Sequence, residues 1–204
     1  MMSDSIDRST TNFVLAGVGG QGTLLAADVV ALVGMAQGLD VKKSEVHGMA
    51  QRGGSVNSHV RWAPTVHSPL IAPGEVDYVV CFERLEALRY AELLRPGGVL
   101  LINDYRISPV SVSSGNDVYP TEEDEAAAYA GSIDRCVYVP AIDIAQGLGN
   151  ARVNNVVMLG ALSTFLPLDE DAWLDVIAGR VPERFVALNR DAFMAGRAHL
   201  VAQS

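Results

Sequence analysis

The chain has 204 residues, with 24 Asp and Glu against 15 Lys and Arg, a formal charge of −9. At this length roughly 70 % of the extended-chain surface can be buried on folding, and 49 % hydrophobic against 19 % charged residues excludes a disordered chain. The acidic balance argues against a nucleic-acid partner. The polar start MMSDSIDRSTTN offers neither a signal-peptide core nor a basic presequence. The longest nearly apolar run, residues 24–36, is broken by Asp28 and falls short of the roughly 20 residues of a membrane span. A cytoplasmic protein without a membrane anchor is expected. Two cysteines, Cys81 and Cys136, are too few for an iron–sulfur cluster or a structural zinc site, so no metal is expected in this chain.

In chain order, residues 12–16 (NFVLA) predict a buried strand ending at Gly17, followed by a helix over 21–37. Residues 41–46 and 56–62 predict two further strands around the glycine-broken HGMAQRGGS. Three prolines between 64 and 75 predict an irregular excursion. Residues 78–82 (YVVCF) read as a continuous apolar strand, 83–94 as an amphipathic helix stopped by Pro96-Gly97-Gly98, and 99–102 as the next strand. Val110 to Ser113 is read as an edge strand. Glu122, Glu123, Asp124 and Glu125 open a short helix with a solvated acidic start. A strand follows over 136–139, then helices over 154–165 and 171–178, with Asn154-Asn155 capping the first of them. Pro182 opens a last helix with Phe185, Leu188, Ala192 and Ala195 on one stripe. Alternating buried strands and helices imply an α/β fold: a Rossmann-like three-layer arrangement with a mainly parallel, helix-covered sheet and a helical C-terminus. With no repeat and no linker, residues 1–204 are read as a single domain.

Charge is unevenly spread. Residues 41–62 hold Lys42, Lys43, Arg52 and Arg61 against Glu45 alone, a basic island in an acidic chain and a place to expect an anionic ligand. Gly17-Val18-Gly19-Gly20-Gln21-Gly22 matches G-x-G-x-x-G between a strand and a helix. Glycines there permit a tight turn and close backbone approach, and the helix start offers free N–H groups to an anion. The same loop serves equally as tight packing of helix on sheet. A nicotinamide site also needs an acid at the end of the second strand. Asp40 precedes that strand, and Glu45 comes late. LLRPGGVLLIND also resembles a segment of S-adenosylmethionine-dependent methyltransferases, although Pro-Gly-Gly before a buried strand recurs for packing reasons alone.

Taken together, GVGGQG, SEVHGMAQRGGSVNSHVR, GEVDYVVCFERLEALR, RPGGVLLIN, NNVVMLGAL and RFVALNRDAFMAGR resemble the gamma-type subunit of 2-oxoacid:ferredoxin oxidoreductases, nearest to the beta subunit of the indolepyruvate enzymes. The resemblance covers nearly the whole chain, and EVHGMAQRGG is its most specific part. It implies a complex that converts a 2-oxoacid, coenzyme A and oxidised ferredoxin to acyl-CoA, carbon dioxide and reduced ferredoxin. Thiamine diphosphate, Mg2+ and 4Fe-4S clusters would belong to a large partner subunit. This chain would be a non-cluster subunit, inactive alone, meeting ferredoxin through the complex and self-associating when isolated.

Within the resemblance, His47, Arg52 and Glu45 are expected in supporting catalytic roles. Arg52 would pair with a carboxylate or phosphate, His47 would donate a hydrogen bond or exchange a proton, and Glu45 would orient them. Gly17, Gly19, Gly20, Gln21, Gly22, Gln51, Gly53 and Gly54 are the expected cofactor-binding residues, while His59 and His67 are read as structural. Two other readings stand beside this one: a free-standing enzyme binding NAD, flavin or S-adenosylmethionine, and a structural or regulatory module with an empty glycine loop.

Overall fold

The computed structural model describes residues 10–47 and 54–202, with the backbone alone for His47. Among them, one sheet is built from β1 (Thr11–Val18), β2 (Asp40–His47), β3 (Ser55–Ala63), β4 (Val76–Cys81), β5 (Leu94–Asn103) and β6 (Arg135–Val139), in the order β2-β3-β1-β4-β5-β6. β1, β4, β5 and β6 pair in parallel, whereas β3 runs antiparallel to both its neighbours. The sheet is therefore mixed, parallel from β1 to β6 and antiparallel toward the β2 edge. The helices are α1 (Thr23–Ala36), α2 (Arg84–Tyr90), α3 (Val110–Ser113), α4 (Glu122–Tyr129), α5 (Ala141–Gly147), α6 (Asn154–Ser163), α7 (Glu170–Arg180) and α8 (Val186–Val201).

The apolar run of β1 does not alternate because both of its faces are covered. Phe13 and Leu15 enter a core shared with α1, α5, α6, α7 and α8. Val14 and Ala16 enter a second core with α2 and with Tyr129 of α4. The result is the expected three layers. α6 lies at the centre of the first core, with every residue buried. A Cβ at Gly160 would stand 2.0 Å from the Phe193 carbonyl oxygen, and one at Gly196 would stand 1.9 Å from that of Val157. α6 and α8 thus meet backbone to backbone. The buried stripe of α8 is accordingly Asn189, Ala192, Phe193, Gly196 and Leu200, rather than the expected one through Phe185 and Ala195. Counting large side chains passes over a glycine that makes the contact.

Other expectations are corrected. Val110 to Ser113 form helix α3, not an edge strand, because β6 already occupies the sheet edge beside β5 and Pro109 leads into a helical turn. β5 begins at Leu94 and passes through Pro96-Gly97-Gly98 with a register shift against Val76 and Tyr78; Gly97 supplies a φ of +71° there. The acidic helix start is not uniformly solvated. Thr121 and Asp124 form a capping box, and Glu125 is buried against Arg84 with N–O distances of 2.7 to 3.0 Å. α5 went unforeseen, since its seven residues are too few to show a period.

Candidate functional site

β1, β2, β4, β5 and β6 all end on one edge of the sheet, and β3 starts there. The glycine loop leaves β1 at this edge, where the strand order reverses between β1 and β4, the position at which open α/β sheets form a crevice. Gly20 and Gly22 have φ of +107° and +79°, so the loop turns in a conformation that favours glycine and α1 starts only at Thr23. A Cβ at Gly17 would stand 2.6 Å from Thr23 Oγ1 and 3.1 Å from Phe82 Cβ. The Gly19 N–H donates to the Gly54 carbonyl at 3.0 Å, which joins the loop to the start of β3.

Gln21 braces the loop. Its Oε1 accepts the Val18 N–H at 2.8 Å and its Nε2 donates to the Phe82 carbonyl at 2.7 Å. That carbonyl also accepts from Asn103 Nδ2 at 3.1 Å, while Asn103 Oδ1 accepts the Ala141 N–H at 3.1 Å. The ends of β1, β4 and β5 and the start of α5 are thereby tied together by two amide side chains. Across the loop, Asn155 Nδ2 donates to the Gly22 carbonyl at 3.3 Å. Asn154 donates instead to the Ala151 carbonyl, so neither asparagine caps α6.

Between the loop and α6 lies a cavity of about 490 Å³. Gly20, Gln21, Gly22, Asn150, Arg152, Asn154, Asn155 and Asn189 form its polar wall; Leu25, Tyr105, Ile142, Ala151, Val153, Val181, Pro182 and Phe185 form the rest. The first turns of α1 and α6 both open here. The first turn of α1 has neither a side-chain cap nor an acidic residue, whereas α6 continues a 3-10 turn over Ala151–Val153 whose start Asn150 caps by accepting the Arg152 N–H at 3.0 Å. The uncapped start of α1 and the exposed Arg152 make this part of an acidic molecule favourable to an anion. The apolar and aromatic wall suits an organic body attached to that anion.

The expected residues are only partly brought together. Gly17, Gly19, Gly20, Gln21, Gly22 and Gly54 share the edge, although the side chain of Gln21 is occupied by main-chain groups. Glu45 lies on β2 opposite Ser58 and pairs with Lys43. His47 ends β2 opposite Val56, and its side chain lies outside the described residues, as do Gln51, Arg52 and Gly53. The described cations of the basic island are engaged locally. Lys42 pairs with Asp40, Lys43 with Asp28 and Glu45, and Arg61 donates to Asn12 and to the Leu70 carbonyl. The anion-friendly surface is therefore at the glycine loop and Arg152, not on those three. Asp40 starts β2 at the opposite end of the sheet, where it accepts the Val66 N–H, and β3 separates β2 from β1. His59 Nδ1 accepts the Ile71 N–H, and burial lowers its pKa.

Asn103, Tyr105, Arg152 and Phe185 were not among the expected residues, and Asn155 was read chiefly as a helix cap. Asn155 lies 133 residues from its partner Gly22. The only local signal was a buried Asn-Asn pair opening an apolar helix.

The family described as pyruvate ferredoxin/flavodoxin oxidoreductase matches residues 12–199. Indolepyruvate oxidoreductase subunit IorB of Thermococcus kodakarensis is 38 % identical over 188 residues, covering 91 % of this chain and 93 % of its own length. The IorB subunit of Archaeoglobus fulgidus is 36 % identical over 187 residues, covering 91 % and 92 %. The crystal structure of the keto/oxoacid ferredoxin oxidoreductase gamma subunit from Geobacter sulfurreducens superposes with a TM-score of 0.70 at 26 % identity, over 94 % of this chain and 99 % of that one. No described helix is long and apolar enough to cross a membrane. With a match running from the buried strand before the glycine loop to the last helix, the chain belongs to the pyruvate ferredoxin/flavodoxin oxidoreductase family.

Proposed function

We propose that this chain is the non-cluster subunit of a thiamine-dependent 2-oxoacid:ferredoxin oxidoreductase, acting on indolepyruvate or a related aryl pyruvate. The identity to IorB subunits over nine-tenths of both chains carries the reading. The thiamine cofactor, its Mg2+ and the iron–sulfur clusters are assigned to a large partner subunit. The residues present here do not fit a cluster: Cys81 is buried on β4, Cys136 lies on β6, and β5 runs between them. No described group of His, Cys, Asp and Glu has the arrangement of a metal site.

With thiamine diphosphate in the partner, coenzyme A is the phosphate-bearing reactant left for this chain. Its phosphates match the Gly20 and Gly22 N–H groups at the start of α1 and Arg152, the Val18, Gly19 and Gln21 N–H groups being donated within the chain, and its organic body matches the wall containing Tyr105 and Phe185. His47, which ends β2, and Gln51, Arg52 and Gly53, which follow it in sequence, are assigned the supporting role in the complex that the resemblance implies for them. A nicotinamide reading is disfavoured by Asp40, which starts β2 at the far end of the sheet.

The test is co-purification with a thiamine-binding large subunit, followed by aryl pyruvate- and coenzyme A-dependent reduction of ferredoxin. Activity is expected only when both chains are present. Full activity of the large subunit alone, or a stoichiometric nicotinamide or flavin in the isolated chain, would overturn the proposal.

A further inference from the structure

A buried carboxylate is expensive, and a well-packed apolar side chain would serve a purely structural position at least as well. Glu86 on α2 is 1 % exposed. One of its oxygens accepts the Ser55 hydroxyl and the other is paired with Arg89. Burial pushes the carboxyl pKa up, against the pull of Ser55 and Arg89. The Ser55 hydroxyl also lies 3.2 Å from the Tyr90 hydroxyl, which accepts from Asn57 Nδ2 at 2.8 Å. α2 packs on β1, β4 and β5. This polar cluster therefore reaches from α2, past β1, to β3.

Ser55 is the first residue of β3 and stands opposite Val18, the last residue of β1. Its neighbour Gly54 accepts the Gly19 N–H. We propose that Glu86 is a positioning residue for the glycine loop: it holds Ser55, and through the adjacent Gly54 carbonyl it fixes where the Gly19 N–H points. Gly19 is then anchored from the β3 side, as Gly22 is anchored by Asn155 and Val18 by Gln21. The inference deepens the proposed function, since it takes the loop to be the site of a phosphate-bearing reactant.

Amide hydrogen exchange on the isolated full chain tests the anchor without any ligand. In Ser55→Ala and Glu86→Ala, exchange at Gly19 should rise about tenfold while Leu15 and Val80 stay as they are, because only a local opening has become easier. Glu86→Gln, which keeps an acceptor for Ser55, should restore most of the protection. Unchanged exchange at Gly19, or a parallel rise at all three amides, would overturn the proposal. In the assembled complex, Ser55→Ala should raise the KM for coenzyme A severalfold with kcat close to wild type. An unchanged KM beside faster Gly19 exchange would remove the anchor from ligand binding. A complex with no coenzyme A-dependent activity in the wild type would instead refute the proposed function, while the exchange result would still decide the anchor.

Discussion

Replacing Gln21 by alanine removes two hydrogen bonds that carry the path from β1 into the glycine loop. The Phe82 carbonyl keeps its bond from Asn103, so losing Gln21 Nε2 costs about 1 kcal/mol or less. The Val18 N–H loses the acceptor that Gln21 provides, and a half-buried donor without a partner costs about 1–3 kcal/mol. The expected destabilisation is about 2–3 kcal/mol, a large share of the stability of a chain this size. Urea unfolding of the full chain reads it directly, as a lower midpoint at an unchanged m-value. Gln21→Glu sharpens the test. It keeps the acceptor for Val18 but sets a carboxylate oxygen against the Phe82 carbonyl, so it should destabilise at least as much despite its equal size. A shift below about 0.5 kcal/mol in Gln21→Ala, within the range of an ordinary surface change, would refute the bracing role. Normal stability with weakened coenzyme A binding would place the side chain on the ligand instead.

Four further outcomes are expected. Gly22→Ala combines a φ of +79° with a Cβ 2.6 Å from Asn155 Nδ2, and should cost about 2–4 kcal/mol in urea unfolding and displace Asn155 from the loop. Gly196→Ala places a methyl 1.9 Å from the Val157 carbonyl oxygen, and should lower stability by about 3 kcal/mol or more or abolish soluble expression. Arg152→Ala, at an exposed position, should leave unfolding within about 0.5 kcal/mol, while calorimetry shows weaker coenzyme A binding by about tenfold. His59 has a folded pKa below its ordinary 6.5, so the unfolded chain takes up the proton first. Its contribution is full above that value and is lost as pH falls through the folded pKa, and urea midpoints from about pH 5 to pH 8 should show a smaller acid loss in His59→Gln.

The runs of β1 and β4 were legible because strands covered on both faces leave an unbroken apolar signature. The antiparallel insertion of β3 between β1 and β2 was not, since strand order is set by pairings that no local window contains. The glycine loop announced itself, yet the roles within it did not: Gln21 reads as a motif position, while its partners Val18 and Phe82 show it to be a brace. For the described cations of the basic island, a count of charge along the chain hid their partners, while Arg52 lies outside the described residues. In space Asp28, distant in sequence, takes up Lys43, and loop carbonyls take up Arg61. Glu86 was hidden for the converse reason. A glutamate on an amphipathic helix reads as solvated, and only the fold shows it buried against Ser55.

The two sides of the cavity beside the glycine loop are held by different means. On the sheet side, Gln21, Asn103 and the Gly19 to Gly54 bond tie strand ends together by polar contacts whose geometry is fixed by direction. On the helical side, Asn155 is carried by α6, and α6 is fixed by its close approach to α8 at Gly160 and Gly196. Interiors at crystal-like density transmit a displacement rather than absorb it. A methyl added at Gly196 must therefore push α6 as a body, and the movement reaches Gly22 through Asn155. Solubly expressed Gly196→Ala should for that reason lose the Asn155 contact with Gly22 and bind coenzyme A more weakly, although Gly196 does not line the cavity. Ligand affinity unchanged in a well-folded Gly196→Ala chain would show that the loop holds its shape from the sheet side alone.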